Sequence, residues 1–220
     1  MAYIGSEGFL ANTELREGKQ HSQKGTPAFL RETLAMAHQL TEKPLLIRMD
    51  SGNDAAENLG ILIEDGSWFI VKRNLRKAEK KDEWLEKVQG CCKDIRHPRD
   101  GKTVYIGSSW KDVSYKTSDG EERNICMRIV YEVIERTIDK HGQFLLMPDI
   151  EVNTFWTNLG CSDDDIIGLY HAHGESEQYH SEIKTDMDVE RLPSGKFDTN
   201  ELVLELTVLA YNILRIIGQY

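Results

Sequence analysis

Apolar and polar positions change their period several times along the chain, and each change marks an element. Residues 8–16 read as extended, and a Gly/Lys/Gln-rich turn follows through Gly25. Thr26-Pro27 then opens a helix, with Thr26 as N-cap and Pro27 at the first helical position. Phe29, Leu34, Met36 and Leu40 fit the apolar face of this amphipathic helix, which runs to about Gln39. After Pro44 a short apolar run, Leu45-Leu46-Ile47, ends in Arg48-Met49-Asp50-Ser51-Gly52. That pattern predicts a buried strand with an acid at its carboxyl tip. In open α/β sheets such strand ends are where ligands and catalytic groups collect. A short helix over 54–62, a turn at Asp65-Gly66 and a strand over 67–71 follow.

From Lys72 the pattern changes. Residues 72–88 read as a basic helical segment, followed by a Pro/Gly turn at 98–101. Tyr, Val and Ile alternate through 103–108, 111–116 and 123–136, and Ser118-Asp119-Gly120 makes the turn of a hairpin. Returning strands are predicted over 143–147 and 154–159, and helices over 163–170, 175–188 (stopped before Pro193) and 200–217. Strand, helix, strand, then a β-rich excursion, then helices describe an α/β fold with an inserted β module.

Composition supports a folded chain: of 220 residues, 40% are apolar and 29% charged. The formal charge of −10 argues against a uniformly basic polyanion binder. Its distribution changes that picture, because residues 72–128 hold 15 Lys/Arg against 10 Asp/Glu and the remainder holds 12 against 27. A basic module that tracks a phosphate backbone fits this split, with Lys72, Arg73, Arg76 and Lys77 at its start. A solvated basic helix laced with ion pairs fits it equally well. No run approaches a membrane span, and the start MAYIGSEGF lacks the layout of a signal peptide. Cys91, Cys92, Cys126 and Cys161 have no metal-ligand spacing and read as reduced thiols of a cytoplasmic protein.

The segment from Tyr170 to Lys184 carries polar groups at helical steps. If it is helical throughout, Tyr170, His173, Glu177 and Lys184 share one narrow sector, and Asp188 lies on the same face. Spacing alone leaves open a solvated face. A zinc hydrolase built on His171, His173 and His180 is a weaker alternative, because residues two apart diverge on a helix and no H-E-x-x-H is present.

Tyr170-(2)-His173-(3)-Glu177-(6)-Lys184 resembles the Y-(2)-R-(3)-E-(6)-K signature of bacterial insertion-sequence transposases of the DDE type. Arg48-Met49-Asp50-Ser51-Gly52 is similar to the segment that carries the second acid in that group. Ala55-Glu57-Asn58, Trp156-Thr157-Asn158-Leu159, Ile183-Lys184-Thr185-Asp186, Arg191-Leu192-Pro193 and Ala210-Tyr211-Asn212 extend the likeness over essentially the whole chain. The resemblance implies an RNase H-like mixed sheet with flanking helices and a β-rich insertion between the second Asp and the Glu. It implies Mg2+ (or Mn2+) bound by Asp50 and Glu177, and phosphoryl transfer that cleaves and joins DNA strands at transposon ends. Tyr170, His173 and Lys184 would contact the backbone near the scissile bond. His173 stands where the family has Arg, without the guanidinium's two-pronged geometry. Partners implied are double-stranded DNA, as transposon ends and target, and a second copy in a synaptic complex. The place implied is a bacterial cytoplasm, at the nucleoid when DNA is bound.

One departure bears on activity: residues 1–49 contain no aspartate. The expectation is therefore a C-terminal part of such an enzyme, with the first core strand and its Asp missing and strand cleavage by this chain alone not expected. A catalytically dead remnant that binds only DNA or a full-length transposase is the alternative. The domain boundaries expected are 1–74 for the truncated core, 75–152 for the basic insertion and 153–220 for the helical part of the core. Trp110 and Trp156 are candidates for stacking on a flipped base, although an aromatic in a β module is commonly core. Asp163-Asp164-Asp165 reads as the acidic start of a helix rather than a metal cluster.

Overall fold

The structure, a computed structural model, describes the chain except residues 6, 18–22, 173–174 and 220 and the side chains of 175–177 and 219. In chain order the first elements are β1 (Ala2–Ile4), β2 (Phe9–Asn12), α1 (Thr26–Leu40), β3 (Leu46–Met49), α2 (Ala56–Asp65), β4 (Trp68–Arg73) and α3 (Lys81–Cys91). They are followed by β5 (Asp94–Arg99), β6 (Lys102–Lys116), β7 (Glu122–Ile138), β8 (Phe144–Thr157), α4 (Asp163–His171), α5 (Glu175–Ser181) and α6 (Phe197–Gln219). These sort into two compact units, residues 44–170 and residues 1–43 with 171–220.

Residues 44–170 build a six-stranded mixed sheet in the order β3-β4-β8-β7-β6-β5. β3 lies at one edge, parallel to β4, and all other neighbours are antiparallel. The β6–β7 hairpin turns where the sequence predicts it: Thr117 N–H donates to the Glu121 carbonyl at 2.8 Å, and Gly120 takes φ 85°. Pairing is unbroken from Lys102↔Arg136 to Lys116↔Glu122. Strand alternation divides the core between the two faces. Ile70, Val104, Ile106, Val130, Ile134 and Phe155 lie under Ile166 and Ile167 of α4. Tyr105, Tyr131 and Val133 lie under Trp84, Leu85 and Val88 of α3. Each such large side chain removed from water contributes about 1.5–3 kcal/mol. Helix α2 packs close because Gly60 has no Cβ; a methyl there would collide with the Tyr115 ring.

In the other unit, β1 and β2 form an antiparallel ribbon whose Leu10 is buried with Ile183 and Tyr211. Asn212 on α6 accepts from Leu10 N–H and donates to Leu10 C=O, both at 2.9 Å, and so continues the β2 edge with a side-chain amide. Gly8 takes φ 69° beneath the Tyr179 ring, where a Cβ would lie 2.5 Å from Cζ.

Several boundaries differ from the sequence expectations. Helix α1 is capped by Gly25 at φ 85°, so Thr26 is its first residue and takes an Arg16 hydrogen bond instead of capping. β3 is half-buried rather than buried, because it is an edge strand. β4 continues through Lys72-Arg73, and the helix of the basic stretch begins only at Lys81. Each pair of short strands predicted across 103–116 and 143–159 is a single long strand. The expected helix over 175–188 is α5 followed by a π-type turn at Glu182–Asp186. The observed class is mixed α/β, a six-stranded mixed sheet with helices on both faces. Among the described residues no helix is long and apolar enough to cross a membrane.

Candidate functional site

Asp50 stands directly after β3, exposed, and leads a one-turn 3-10 segment at Ser51–Asn53. Its Oδ1 accepts from Asn53 Nδ2 at 2.5 Å, and its carbonyl accepts from Asn53 N–H at 3.1 Å. The loop is braced from two sides. Asn58 Nδ2 donates to the Asn53 carbonyl at 2.9 Å, and Asn74 Nδ2, just past β4, donates to the Ser51 carbonyl at 2.5 Å. Asp50 is thus an accessible carboxylate on a rigid loop at the carboxyl ends of two parallel strands.

Beside it lies a hub that the sequence reading missed. The Asp54 side chain is only 1% exposed and accepts from Asn74 N–H (2.8 Å), both terminal nitrogens of Arg76 (2.7 and 3.2 Å) and Trp156 Nε1 (3.0 Å). With its oxygens so occupied, Asp54 fastens the β3, β4 and β8 ends together. The signal available in the sequence was an acid four residues after Asp50; its partner Trp156 lies 102 residues away and no local pattern reveals it. A second pair lies next to it. The Arg73 side chain is 0% exposed; one terminal nitrogen meets both Glu79 oxygens at 2.6 and 2.7 Å, and the guanidinium lies 5.4 Å from the Trp156 ring centre. Burial works against ionised Glu79, but hydrogen bonds from Arg76 N–H and Arg73 bring its pKa below the usual carboxylate value.

These contacts revise two of the expected DNA contacts. Arg73 and Trp156 are buried and tied to Glu79 and Asp54, so neither presents a charge or a ring face to a ligand. Arg76 is exposed but salt-bridged to Asp54. Lys72 is half-buried, Lys77 is exposed, and Trp110 is 68% exposed on β6, opposite Arg128 of β7. Every arginine between residues 72 and 128 is held by an acid or a backbone carbonyl. Arg96 meets Asp94 and Asp164, Arg123 meets Glu121, Arg128 meets Asp163, and Arg99 meets the Ile138 and Asp139 carbonyls. The local excess of positive charge therefore rests on lysines. The acids opening α4 serve structure: Ser162 Oγ accepts from Asp165 N–H at 3.2 Å, and the Arg96 hydrogen bond holds the Asp164 carboxyl below its usual range.

Tyr170, near the end of α4, packs its ring 4.7 Å from that of Phe155. His173 lies outside the described residues. Glu177 falls within α5, its side chain also outside them, and Lys184 is exposed on the π-type turn. The expected single helical stripe is interrupted: α4 ends at His171 and α5 begins at Glu175. Asp50 and Tyr170 belong to the unit of residues 44–170, Glu177 and Lys184 to the other. Of the zinc alternative's ligands, His180 Nδ1 lies 3.2 Å from the Tyr3 hydroxyl. Among the described residues no group of three or more His, Cys, Asp or Glu converges to hold a metal. Asp50 supplies one carboxylate, and the saturated Asp54 supplies none. By themselves the described residues do not make a metal site.

Several residues that carried the sequence likeness have clear structural work. Asn158 Oδ1 accepts from Phe69 N–H at 3.0 Å and its Nδ2 donates to the Ser67 carbonyl at 2.9 Å, which extends the β4–β8 pairing. Asn58 and Asn212 brace backbone in the same manner. Compared with known families, the chain matches the one described as Transposase DDE domain group 1 over residues 1–219. Among curated proteins, none matches it.

Proposed function

The chain belongs to the transposase DDE domain family, group 1, and from that membership we propose that it acts in DNA transposition through Asp50 and Glu177 as its metal-binding carboxylates. Family membership implies a DNA substrate and a divalent metal ion. The observation that carries the assignment of Asp50 is its position: exposed, on a braced loop, at the carboxyl end of β3 where β3 runs parallel to β4. The β3-α2-β4 unit with its antiparallel continuation also supports an RNase H-like core. Bound Mg2+ or Mn2+ would supply Lewis-acid stabilisation of a phosphodiester oxygen during strand cleavage and joining at transposon ends. Tyr170, His173 and Lys184 would grip the phosphate backbone. Lys72, Lys77 and Arg76 would follow it further along, and the exposed Trp110 ring offers a stacking surface. The partners are double-stranded transposon ends, target DNA and a second copy of the chain, met at a bacterial nucleoid.

A second reading is a chain that binds DNA or a complete transposase without cutting. One assay separates the two: nicking, with Mg2+ or Mn2+, of duplexes drawn from the DNA flanking the coding sequence. Nicking lost in both Asp50→Ala and Glu177→Ala supports the first reading. Binding that weakens steeply with salt but never leads to a nick supports the second. Nicking that survives in either variant overturns the assignment of the carboxylates.

A further inference from the structure

The end of the β7–β8 hairpin presents large apolar side chains to water. Phe144 is 84% exposed, Met147 77% and Leu146 entirely so, although all three belong to a strand of the central sheet. One exposed Leu is ordinary, but three such side chains so close together mark a surface that meets something. The backbone turns them out. β7 pairs with β8 at Arg136↔Asp149 and again at Ile138↔Phe144, so Thr137 alone stands against Leu145, Leu146, Met147 and Pro148. Such a bulge re-aims the side chains it carries.

The end is braced. Asp139 Oδ1 accepts from His141 N–H at 2.8 Å and from Gln143 N–H at 2.9 Å, and Asp139 N–H donates to the Gln143 carbonyl at 2.9 Å. Thr137 N–H donates to the Gly101 carbonyl at 2.8 Å, and Gly101 sits so close to Ile138 that a Cβ would lie 2.5 Å from its side chain. Arg99 donates to the Ile138 and Asp139 carbonyls at 3.4 Å. A convex end held in this way loses little freedom on insertion. Charge decides what it enters. Among the described residues none of the cations here, Arg99, Lys102 and Lys140, is paired with an acid, whereas Arg73, Arg76, Arg96 and Arg136 all are. Unpaired positive charge beside Phe, Leu, Met and Pro is the composition with which proteins wedge open a base step and hold the adjoining phosphates. A bilayer surface fits less well, because lipid headgroups are gathered by clusters of about four to eight basic residues.

We propose that Phe144, Leu146 and Met147 form a wedge that enters duplex DNA at a base step and partly unstacks it, with Lys102 and Lys140 on the flanking phosphates. Its place along the duplex follows from the register. Arg73 pairs with Thr154 and Thr154 with Tyr131, and Ile138 lies seven residues beyond Tyr131 on β7. At about 3.3 Å per residue that is on the order of 23 Å from the strand ends beside Asp50, or about seven base pairs at ~3.4 Å each. The position, and not the wedge itself, rests on the reading of Asp50 given above.

A duplex with 2-aminopurine in place of adenine at a single central TpA step, set among G·C pairs, tests the wedge with the whole chain in EDTA. TpA is among the steps most easily unstacked. Expected is a rise in 2-aminopurine fluorescence at saturating protein, as the base loses its stacking neighbours. The double variant Phe144→Ser/Leu146→Ser abolishes the rise and lowers affinity by about 5- to 150-fold, the loss that removal of one base-stacking side chain gives. Its urea midpoint is unchanged, because both side chains already lie in water. Lys140→Ala keeps the rise at saturation and reduces the salt slope of binding by about one. A saturated complex with no rise overturns the proposal, as does a rise that survives the double variant or a chain that binds no duplex at any salt. Binding to phosphatidylcholine/phosphatidylglycerol vesicles that is lost in the double variant, with the 2-aminopurine signal flat, also overturns it and makes a lipid surface the occupant. With metal withheld, the readout is separate from Asp50 and Glu177. A rise from a chain that never nicks supports the wedge, whereas a flat signal from a chain that nicks overturns it and leaves both carboxylates in place.

Discussion

Replacing Glu79 by Ala strands the Arg73 guanidinium inside the sheet unit. The Arg73 side chain is 0% exposed, and Glu79 is the acid that meets it, through both oxygens at 2.6 and 2.7 Å. Among the described residues its Nε and other terminal nitrogen have no hydrogen-bond partner, so the carboxylate carries most of the compensation for burying the charge. Two unit charges about 4 Å apart at an effective dielectric of about 20 interact by about 4 kcal/mol. Removing one member of a buried pair costs about 3–5 kcal/mol in practice, and that is the loss expected for Glu79→Ala. With a urea slope near 2 kcal/mol/M, the unfolding midpoint falls by about 1.5–2.5 M. Tryptophan fluorescence is the suitable probe, because Trp68, Trp84, Trp110 and Trp156 all lie in residues 44–170. The double variant Arg73→Met/Glu79→Leu replaces the pair by apolar side chains and is expected to recover most of the loss. A Glu79→Ala midpoint equal to that of the parent, or a double variant less stable than Glu79→Ala, refutes the reasoning.

Gly60→Ala forces a methyl against the buried Tyr115 ring and should cost about 1–3 kcal/mol, measured by the same urea titration. Phe155→Ala opens a cavity at a side chain 1% exposed and should cost about 3–5 kcal/mol in that assay. Against the cost of burial, the Arg76 N–H and Arg73 hydrogen bonds hold the Glu79 carboxyl below the usual carboxylate range in the folded chain, so its stabilisation is complete above that usual range and is lost as pH falls through the depressed value. Thermal melts should therefore be level near neutrality and drop in acid, and Glu79→Gln should show a smaller acid drop from a lower plateau. Asn212→Ala removes both bonds to Leu10 and should speed proteolysis within residues 1–43, while urea unfolding followed by tryptophan fluorescence stays unchanged.

Elements governed by local chemistry were legible in the sequence. Ser118-Asp119-Gly120 places the hairpin because the turn needs a residue at positive φ, and Gly120 supplies it. The strand before Asp50 and the helix after it were legible from a single apolar run and the turn signals beside it. Strands β6 and β8 looked broken because Ser108-Ser109 and Pro148 interrupt the apolar alternation, yet backbone pairing needs no apolar side chain: the β6–β7 ladder runs on unbroken, and the β7–β8 ladder resumes at Ile138↔Phe144 after an irregularity beside Pro148. Lys72 and Arg73 looked like the start of a basic helix. Arg73 is instead in a strand, since a cation can be buried when Glu79 is at hand, and that partner is a tertiary fact. For the candidate site, ordered motifs identified the family and pointed to Asp50. They did not distinguish residues that handle substrate from those that hold the loops: Asn58, Asn158 and Asn212 carry the likeness but bond to backbone. Nor did they show Asp54, whose partners come from three separate segments.

Metal-directed backbone scission is the most direct test of Asp50 and Glu177 as metal-binding carboxylates. Fe2+ bound in place of Mg2+, supplied with ascorbate and peroxide, generates oxidant at the ion and cuts the chain next to its ligands. Two cuts are expected, one beside Asp50 that is lost in Asp50→Asn and one beside Glu177 that is lost in Glu177→Gln, both suppressed by excess Mg2+. A cut beside Asp50 that persists in Asp50→Asn, or cuts that fall beside His171 and His180 instead, would contradict the assignment.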